Sequence, residues 1–266
     1  MSATNTTTVT PPLKWAGGKR WLLPHIQPIR PAIRNRRYVE PFCGGLAIAL
    51  GLQPRRALLN DINPHLINFY QHIRLSLLPR RIDTRYNRRL FYKHRRRFNY
   101  LIQNGATKTA EAAELFYYLN RTCFNGLCRF NQEGRFNVPF GQYKTVHYLT
   151  DFDAYSRLFR HWTFTNKDLE TLPIKPDDFI YSDPPYDGTG FTTYSPEGFS
   201  WDDQVRTARF LCRHRGPVLL SNLATKRIID LYKGLHFNLK FLNAPRRISC
   251  NGNRLAAREV LASRNL

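Results

Sequence analysis

Phe179-Ile180-Tyr181-Ser182-Asp183-Pro184-Pro185-Tyr186 joins a short apolar run to a carboxylate, two prolines and an aromatic ring. The run has the length of a buried strand, so the polar motif falls at a strand's carboxyl edge. In open α/β sheets that edge is where ligands bind. The prolines fix the backbone and remove two N–H donors, leaving a rigid cup of acceptors with a flat face. Such a cup suits a flat base bearing an amino group: Asp183 accepts one N–H, the Pro184 carbonyl accepts the other, and the Tyr186 ring stacks on the heterocycle. The competing reading is a plain loop in which the prolines end a strand and Asp183 caps the next element.

Upstream, Tyr38-Val39-Glu40-Pro41-Phe42 reads as another strand, and Cys43-Gly44-Gly45 opens an apolar helix that runs through Leu52. Arg56-Ala57-Leu58-Leu59-Asn60 is the next strand and ends at Asp61. A glycine turn, a helix, a strand and a terminal acid about twenty residues on form the pattern that binds ribose hydroxyls, so an adenosine-bearing cofactor is expected. A capping Asp before Asn63-Pro64 would look the same. Pro11 to Arg20 contains Gly17-Gly18-Lys19, which lacks the first glycine and the Ser/Thr of a phosphate loop; a nucleoside triphosphate site is rejected. The glycine pair lets backbone approach a ligand, and Trp15 beside it faces a sulfonium cation or an adenine, or else is ordinary core.

With 41 Lys+Arg against 19 Asp+Glu the chain of 266 residues carries a formal charge of +22, which favours a polyanionic partner over a merely basic solubility surface. Nucleic acid is favoured over a membrane because no long apolar span appears. The length suits one large domain with an inserted lobe. Five scattered cysteines, Cys43, Cys123, Cys128, Cys212 and Cys250, fit a reducing cytoplasm and complete no four-ligand zinc pattern, so no metal is expected. Residues 1–8 lack the basic and apolar regions of a signal peptide and read as a short disordered tail.

Pro64 to Gln103 is helical in pattern and dense in Arg88, Arg89, Lys93, Arg95, Arg96 and Arg97, which track phosphates or form a solvated helix face. A second amphipathic helix spans Ala110 to Asn120. Arg121 to Asn131 and Arg135 to Gly141, joined by Gln132-Glu133-Gly134, read as a hairpin. Its interleaved Arg, Asn and aromatics suit nucleic acid, since Arg forks onto guanine, Asn pairs with adenine and apolar side chains wedge between base steps; a structural hairpin with a polar outer face is the alternative. His161 to Thr165 is a strand ending near Asp168, which sits beside a cofactor adenine or caps a helix. Thr189 to Tyr194 is a polar and aromatic loop, Asp202 to Arg213 a helix and Pro217 to Asn222 a strand. Arg246 to Gly252 forms a basic loop before an edge strand at Val260-Leu261-Ala262.

Six segments, Leu13-Lys14-Trp15-Ala16-Gly17-Gly18-Lys19, Val39-Glu40-Pro41-Phe42, Asp61-Ile62-Asn63, Asn125-Gly126-Leu127-Cys128-Arg129, Phe136-Asn137-Val138-Pro139-Phe140-Gly141 and Asp183-Pro184-Pro185-Tyr186, run in one order along nearly the whole chain. Together they resemble the DNA adenine methyltransferases of the Dam type, the alpha group or D12 class. The resemblance implies an α/β fold: a Rossmann-like S-adenosylmethionine-dependent methyltransferase sheet (residues 1–63 and 151–266) with an inserted helical and β-hairpin target-recognition lobe (residues 64–150). It implies that S-adenosylmethionine is bound by Trp15, Lys19, Glu40, Phe42, the turn containing Gly44, Asp61 on the ribose, Asp168 and Asp183. Catalysis would rest on Asp183, Pro184 and Tyr186. Lys14 and Arg129 would contact guanines, Phe124 and Asn125 the gap left by a flipped base, Leu127 and Pro139 neighbouring bases, with Asn137 among the DNA contacts.

By the same resemblance the site is GATC in double-stranded DNA; a cytoplasmic monomer that needs no protein partner is expected, with a cognate restriction endonuclease as an optional companion. Leu46 departs from the family pattern where a second glycine is common, and Phe124 stands where the family often has Tyr. The chemistry needs no covalent intermediate: Asp183 and the Pro184 carbonyl would hold the amino group in line with a sulfonium methyl, and no Pro-Cys dipeptide supplies a thiol nucleophile. The rival readings are a methyltransferase acting on RNA or a protein amide, and a DNA-binding protein without catalysis.

Overall fold

The computed structural model describes residues 9–78, 82–187, 198–245 and 257–266. The N-terminal tail, the Thr189 to Tyr194 loop, the Arg246 to Gly252 loop and Cys250 lie outside the described residues. Seven strands form one sheet: β1 (Tyr38–Glu40), β2 (Ala57–Asn60), β3 (Trp162–Thr165), β4 (Phe179–Ser182), β5 (Val218–Leu223), β6 (Asn238–Ala244) and β7 (Ala257–Arg264), in the order β3-β2-β1-β4-β5-β7-β6. The first five are parallel and β7 runs antiparallel to both neighbours. Chain progression reverses between β1 and β4, so the sheet is Rossmann-like and its ligand crevice opens beyond the carboxyl ends of those two strands.

The sheet's apolar strands alternate between two cores. Tyr38, Phe179, Tyr181 and Leu219 join one cluster, while Val39, Ile180, Val218 and Leu220 join the other. That is the period of two of a strand buried on both faces. The expected edge strand at Val260-Leu261-Ala262 is corrected: β7 lies between β5 and β6, and all three residues are buried. Consecutive apolar residues marked a strand covered on both sides and paired on both edges. The true edge is β6, whose mostly exposed residues gave little apolar signal.

Nine helices are described: α1 (Leu23–Ile26), α2 (Arg30–Arg34), α3 (Ala47–Leu52), α4 (Pro64–Arg74), α5 (Arg88–Gln103), α6 (Ala110–Thr122), α7 (Asp153–Phe159), α8 (Trp201–Cys212) and α9 (Lys226–Gly234). The helical stretch expected from Pro64 to Gln103 is thus two helices. Asn63 caps α4 by accepting from the His65 and Leu66 amides, and Asn87 caps α5 by accepting from Leu90. One apolar cluster runs from the sheet (Leu59, Phe164) through α4 (Phe69, Tyr70) to α5 and α6 (Phe98, Phe116). Ala208 and Leu211 of α8 and Ile228 and Tyr232 of α9 cover the other face. No described helix is long and apolar enough to cross a membrane.

The segment expected as a hairpin pairs antiparallel at isolated points, Cys123 with Phe140 and Phe130 with Phe136, without becoming a continuous ladder. Pro139 has no N–H to give, and Asn125 and Gly126 turn left-handed with φ of 53° and 64°. Phe130 and Phe136 are buried. That leaves Phe124 and Asn125 exposed at the turn.

Candidate active site

Three carboxylates gather at the carboxyl edge of the sheet: Glu40 ends β1, Asp61 follows β2 and Asp183 follows β4. Glu40 is buried and accepts a short bond from the Tyr38 hydroxyl. Burial pushes its carboxyl up to about 8, against the Tyr38 bond, which pulls it down. Asp61 is 9 % exposed and accepts from the Gly44 amide through Oδ2 and the Asn63 amide through Oδ1, both at 3.0 Å. Burial raises it to about 6, and the two amide bonds limit the rise.

Asp61 thereby ties the glycine turn to the end of β2. The Cys43 amide donates to the Asn60 carbonyl at 2.7 Å, and the Tyr70 hydroxyl to the Gly44 carbonyl at 2.7 Å. Trp15 packs on this turn: a Cβ on Gly44 would lie 2.7 Å from its Nε1, and one on Gly45 would lie 2.8 Å from its Cβ. Both glycines are therefore required by the close approach of Trp15, Gly44 by its indole and Gly45 by its Cβ. Leu46, the departure noted above, is left-handed with φ 61° and fully buried. Its packing offsets a backbone cost of about 1–2 kcal/mol that glycine would escape. Phe42 is half-buried and meets Phe199 edge-on at 5.7 Å.

Asp183 is the hub of the second half of the site. Its Oδ1 accepts from the Ser221 hydroxyl at 2.8 Å, and its Oδ2 lies 3.7 Å from Lys19 Nζ. Lys19 is 5 % exposed, stands equally 3.7 Å from Glu259 Oε1, donates to the Gly17 carbonyl and sits 4.3 Å from the Tyr186 ring centre. Tyr186 donates its hydroxyl to Glu259 Oε2 at 2.6 Å. One buried cation thus serves two carboxylates and one ring. Burial raises both the Asp183 and Glu259 carboxyls, and the Lys19 charge holds each below where burial alone would set it.

The motif's backbone is held from behind. Gln204 of α8 donates to the Pro185 carbonyl at 2.6 Å and is itself fixed by Asn222 of β5 at 2.9 Å. Thr225 and Arg227 both donate to the buried Asp187 carboxylate. No donor among the described residues reaches the Pro184 carbonyl.

Glu259, Ser221, Gln204 and Arg227 were not singled out by sequence reasoning. Glu259 did carry a signal, an acid directly before the apolar run Val260-Leu261-Ala262. It reaches Tyr186 because β7 pairs with β5 in the register Leu223 to Glu259.

Lys14 joins this edge to the segment from Asn120 to Tyr143. Its amide donates to Asn120 Oδ1 at 2.9 Å, its Nζ lies 3.4 Å from the Tyr143 ring centre, and a Cβ on Gly126 would clash with its side chain at 2.2 Å. Phe124, Asn125, Arg129 and Pro139 are exposed and Leu127 is half-buried. Arg129 Nε donates to Asn137 Oδ1 at 2.8 Å, which steers the guanidinium and leaves its two Nη groups without partners among the described residues. Asp168 caps the turn from Leu169 by accepting from the Glu170 amide and also pairs with Arg206 at 3.0 Å. Its carboxylate is engaged there, as in the capping alternative.

The sequence profile of the D12 class N6 adenine-specific DNA methyltransferases matches residues 15–248. The chain is 37 % identical over 255 residues to a DNA adenine methylase of Vibrio cholerae, covering 90 % of each chain. It is 33 % identical over 264 residues to a type II methyltransferase of Lactococcus lactis subsp. cremoris, covering 91 % of this chain and 90 % of that one. It is also 35 % identical over 265 residues to a DNA N-6-adenine-methyltransferase of Escherichia phage P1, covering 93 % of this chain but 34 % of the longer phage protein.

Proposed function

The chain belongs to the D12 class of N6 adenine-specific DNA methyltransferases, and from that membership we propose that it methylates the exocyclic amino group of adenine within GATC in double-stranded DNA, with S-adenosylmethionine as donor and with the adenine turned out of the helix. The observation that carries the reading is the Asp183 to Tyr186 cup, with Asp183 Oδ2, a Pro184 carbonyl that has no donor among the described residues, and a Tyr186 ring bonded to Glu259. Residues 64–150 serve as the target-recognition lobe, and residues 1–63 and 151–266 as the catalytic domain. The type II relative suggests a paired restriction endonuclease as the biological setting.

The residues fit the donor. Each Asp61 oxygen accepts one amide and keeps capacity for ribose hydroxyls. Ile62 beside it is apolar and 51 % exposed, a surface for a flat heterocycle. Lys19 and Asp183 offer opposite charges to an amino-acid carboxylate and ammonium. When bound, the cofactor supplies an electrophilic methyl on a sulfonium.

The chain's own part is positioning. Asp183 and the Pro184 carbonyl accept the two amino hydrogens, which turns lone-pair density out of conjugation, and Ser221 keeps Asp183 from rotating. The carboxylate must be ionised to accept, which Lys19 favours. Phe124 is exposed at the turn to fill the space the adenine leaves, and this offsets an unstacking cost of a few kcal/mol.

Glu259 positions Tyr186, and its test separates charge from hydrogen bonding. Glu259→Ala is expected to lower kcat roughly tenfold or more, from the loss of a bond worth about 1.5–3 kcal/mol. Glu259→Gln keeps an acceptor for the tyrosine hydroxyl and is expected to recover most of that loss. Equal kcat in the two variants would refute the positioning role.

Arg129→Ala is expected to cost about 1–3 kcal/mol of discrimination at one guanine, read as methylation rates across duplexes with single-base changes; an unaltered profile would remove Arg129 from recognition. The reading as a whole is tested by single-molecule sequencing of DNA from cells expressing the chain. Methylated adenine confined to GATC is the expected result. Methylated adenine in another context would overturn the recognition assignment, and none, from folded protein, would overturn DNA as substrate.

A further inference from the structure

Helix α5 carries no acidic residue and opens with Arg88 and Arg89 in its first turn. Positive charge there opposes the helix dipole, which favours anions at the amino end. Arg89 and Lys93 repeat the problem as like charges four residues apart, which destabilises an isolated helix. The sequence therefore holds an arrangement that is unfavourable without an external anion.

The fold sorts these cations. Phe91, His94, Phe98 and Leu101 bury the inner face of α5. Arg97 is used by Glu111 at 2.7 Å, and Arg95 by the Val138 carbonyl and the Tyr92 ring. Arg89, Lys93 and Arg96 remain exposed, with no ion pair among the described residues. Spaced by four and three residues, they form one stripe. Arg89 and Arg96 also line an open recess with Asn87, Arg88 and Tyr92.

Three hydrogen bonds fix where the helix sits. Arg95 Nη1 donates to Val138, and Asn99 exchanges bonds with the Phe136 amide and carbonyl. The helix is therefore joined to the return arm of the segment that carries Asn137 and Pro139. From Arg89 to Arg96 the helix rises about 10 Å, a span of about three phosphate-to-phosphate steps of one strand at about 3.4 Å of axial rise each.

We propose that the Arg89, Lys93 and Arg96 stripe holds the phosphate backbone of duplex DNA flanking the recognised site, adding affinity that does not depend on sequence. The proposal rests on double-stranded DNA being the substrate. The triple variant Arg89→Gln, Lys93→Gln, Arg96→Gln keeps good helix formers at three exposed positions. Binding is measured on a long duplex and on one trimmed to the recognised site, over stepped salt, with methylation of both duplexes assayed in parallel.

On the long duplex the salt slope of log K is expected to be less steep by about 2.7, from three phosphates at about 0.9 each. The slope on the trimmed duplex and the methylation rate at saturating enzyme are expected to match the wild type. Arg97→Gln, which breaks an existing ion pair, is expected to leave both slopes in place. Methylation by both proteins with equal slopes on the long duplex overturns the stripe alone, as does an equal change on the trimmed duplex. No methylation by the wild type overturns the substrate reading beneath it.

Discussion

Replacing Asp183 with alanine is expected to lower methyl transfer on the order of 10³-fold or more, because one acceptor of the amino hydrogens and the alignment it imposes are lost together. The rest of the site keeps its partners. Lys19 still faces Glu259 at 3.7 Å, and the Ser221 hydroxyl still lies 3.0 Å from the Tyr181 hydroxyl. Removing Asp183 takes one partner from the buried Lys19 cluster, and Glu259 remains to pair with the cation. DNA affinity should persist, since the exposed residues proposed to contact DNA, Phe124, Asn125 and Arg129, lie on a separate segment. Single-turnover methylation and equilibrium binding of the same duplex decide the matter. Equal loss of both would remove Asp183 from the chemistry.

Lys19→Met is expected to cut the rate at neutral pH on the order of 10²-fold and to shift its pH dependence. Lys19 is the charge that pulls both the Asp183 and Glu259 carboxyls down. Without it both rise further, so the ionised form that accepts the amino hydrogens appears only at higher pH. The acidic limb of the pH–rate profile should move upward, with partial recovery in alkali.

Stability follows with the same sign. Carboxyls raised in the folded state hold protons that the unfolded chain has released, so stability falls as pH climbs from the ordinary carboxylate range through the folded values. Losing one partner of a buried ionic cluster costs about 3–5 kcal/mol. The variant's Tm should drop, and drop more steeply with pH than the wild type's. A pH–rate profile lowered without displacement would make Lys19 structural only.

The parallel core of the sheet was legible in the residues because its strands are covered on both faces and read as apolar runs: Tyr38-Val39, Ala57-Leu58-Leu59, Phe179-Ile180-Tyr181 and Val218-Leu219-Leu220. The acids that end them, Glu40, Asp61 and Asp183, were legible for the same reason, since a charge that terminates an apolar strand stands at the ligand edge. The glycine turn was visible too. Its cause, the Trp15 indole packed on Gly44 and Gly45, required two segments about thirty residues apart to be seen together.

Sequence by itself thus determined the fold class and the family, and it located the Asp183 to Tyr186 motif at the end of β4. Tertiary structure decided what surrounds the cup. Glu259 lies seventy-odd residues beyond Tyr186, and only the insertion of β7 between β5 and β6 brings its carboxylate to the tyrosine hydroxyl and to Lys19. The same holds for α5, where six basic residues look alike in the sequence until packing separates the paired Arg97 and the bonded Arg95 from the exposed stripe. Periodicity reports which face of an element is covered, because burial repeats along the chain with the geometry of that element. Partners across the sheet or between lobes are set by long-range register and packing, and these leave no local repeat to read.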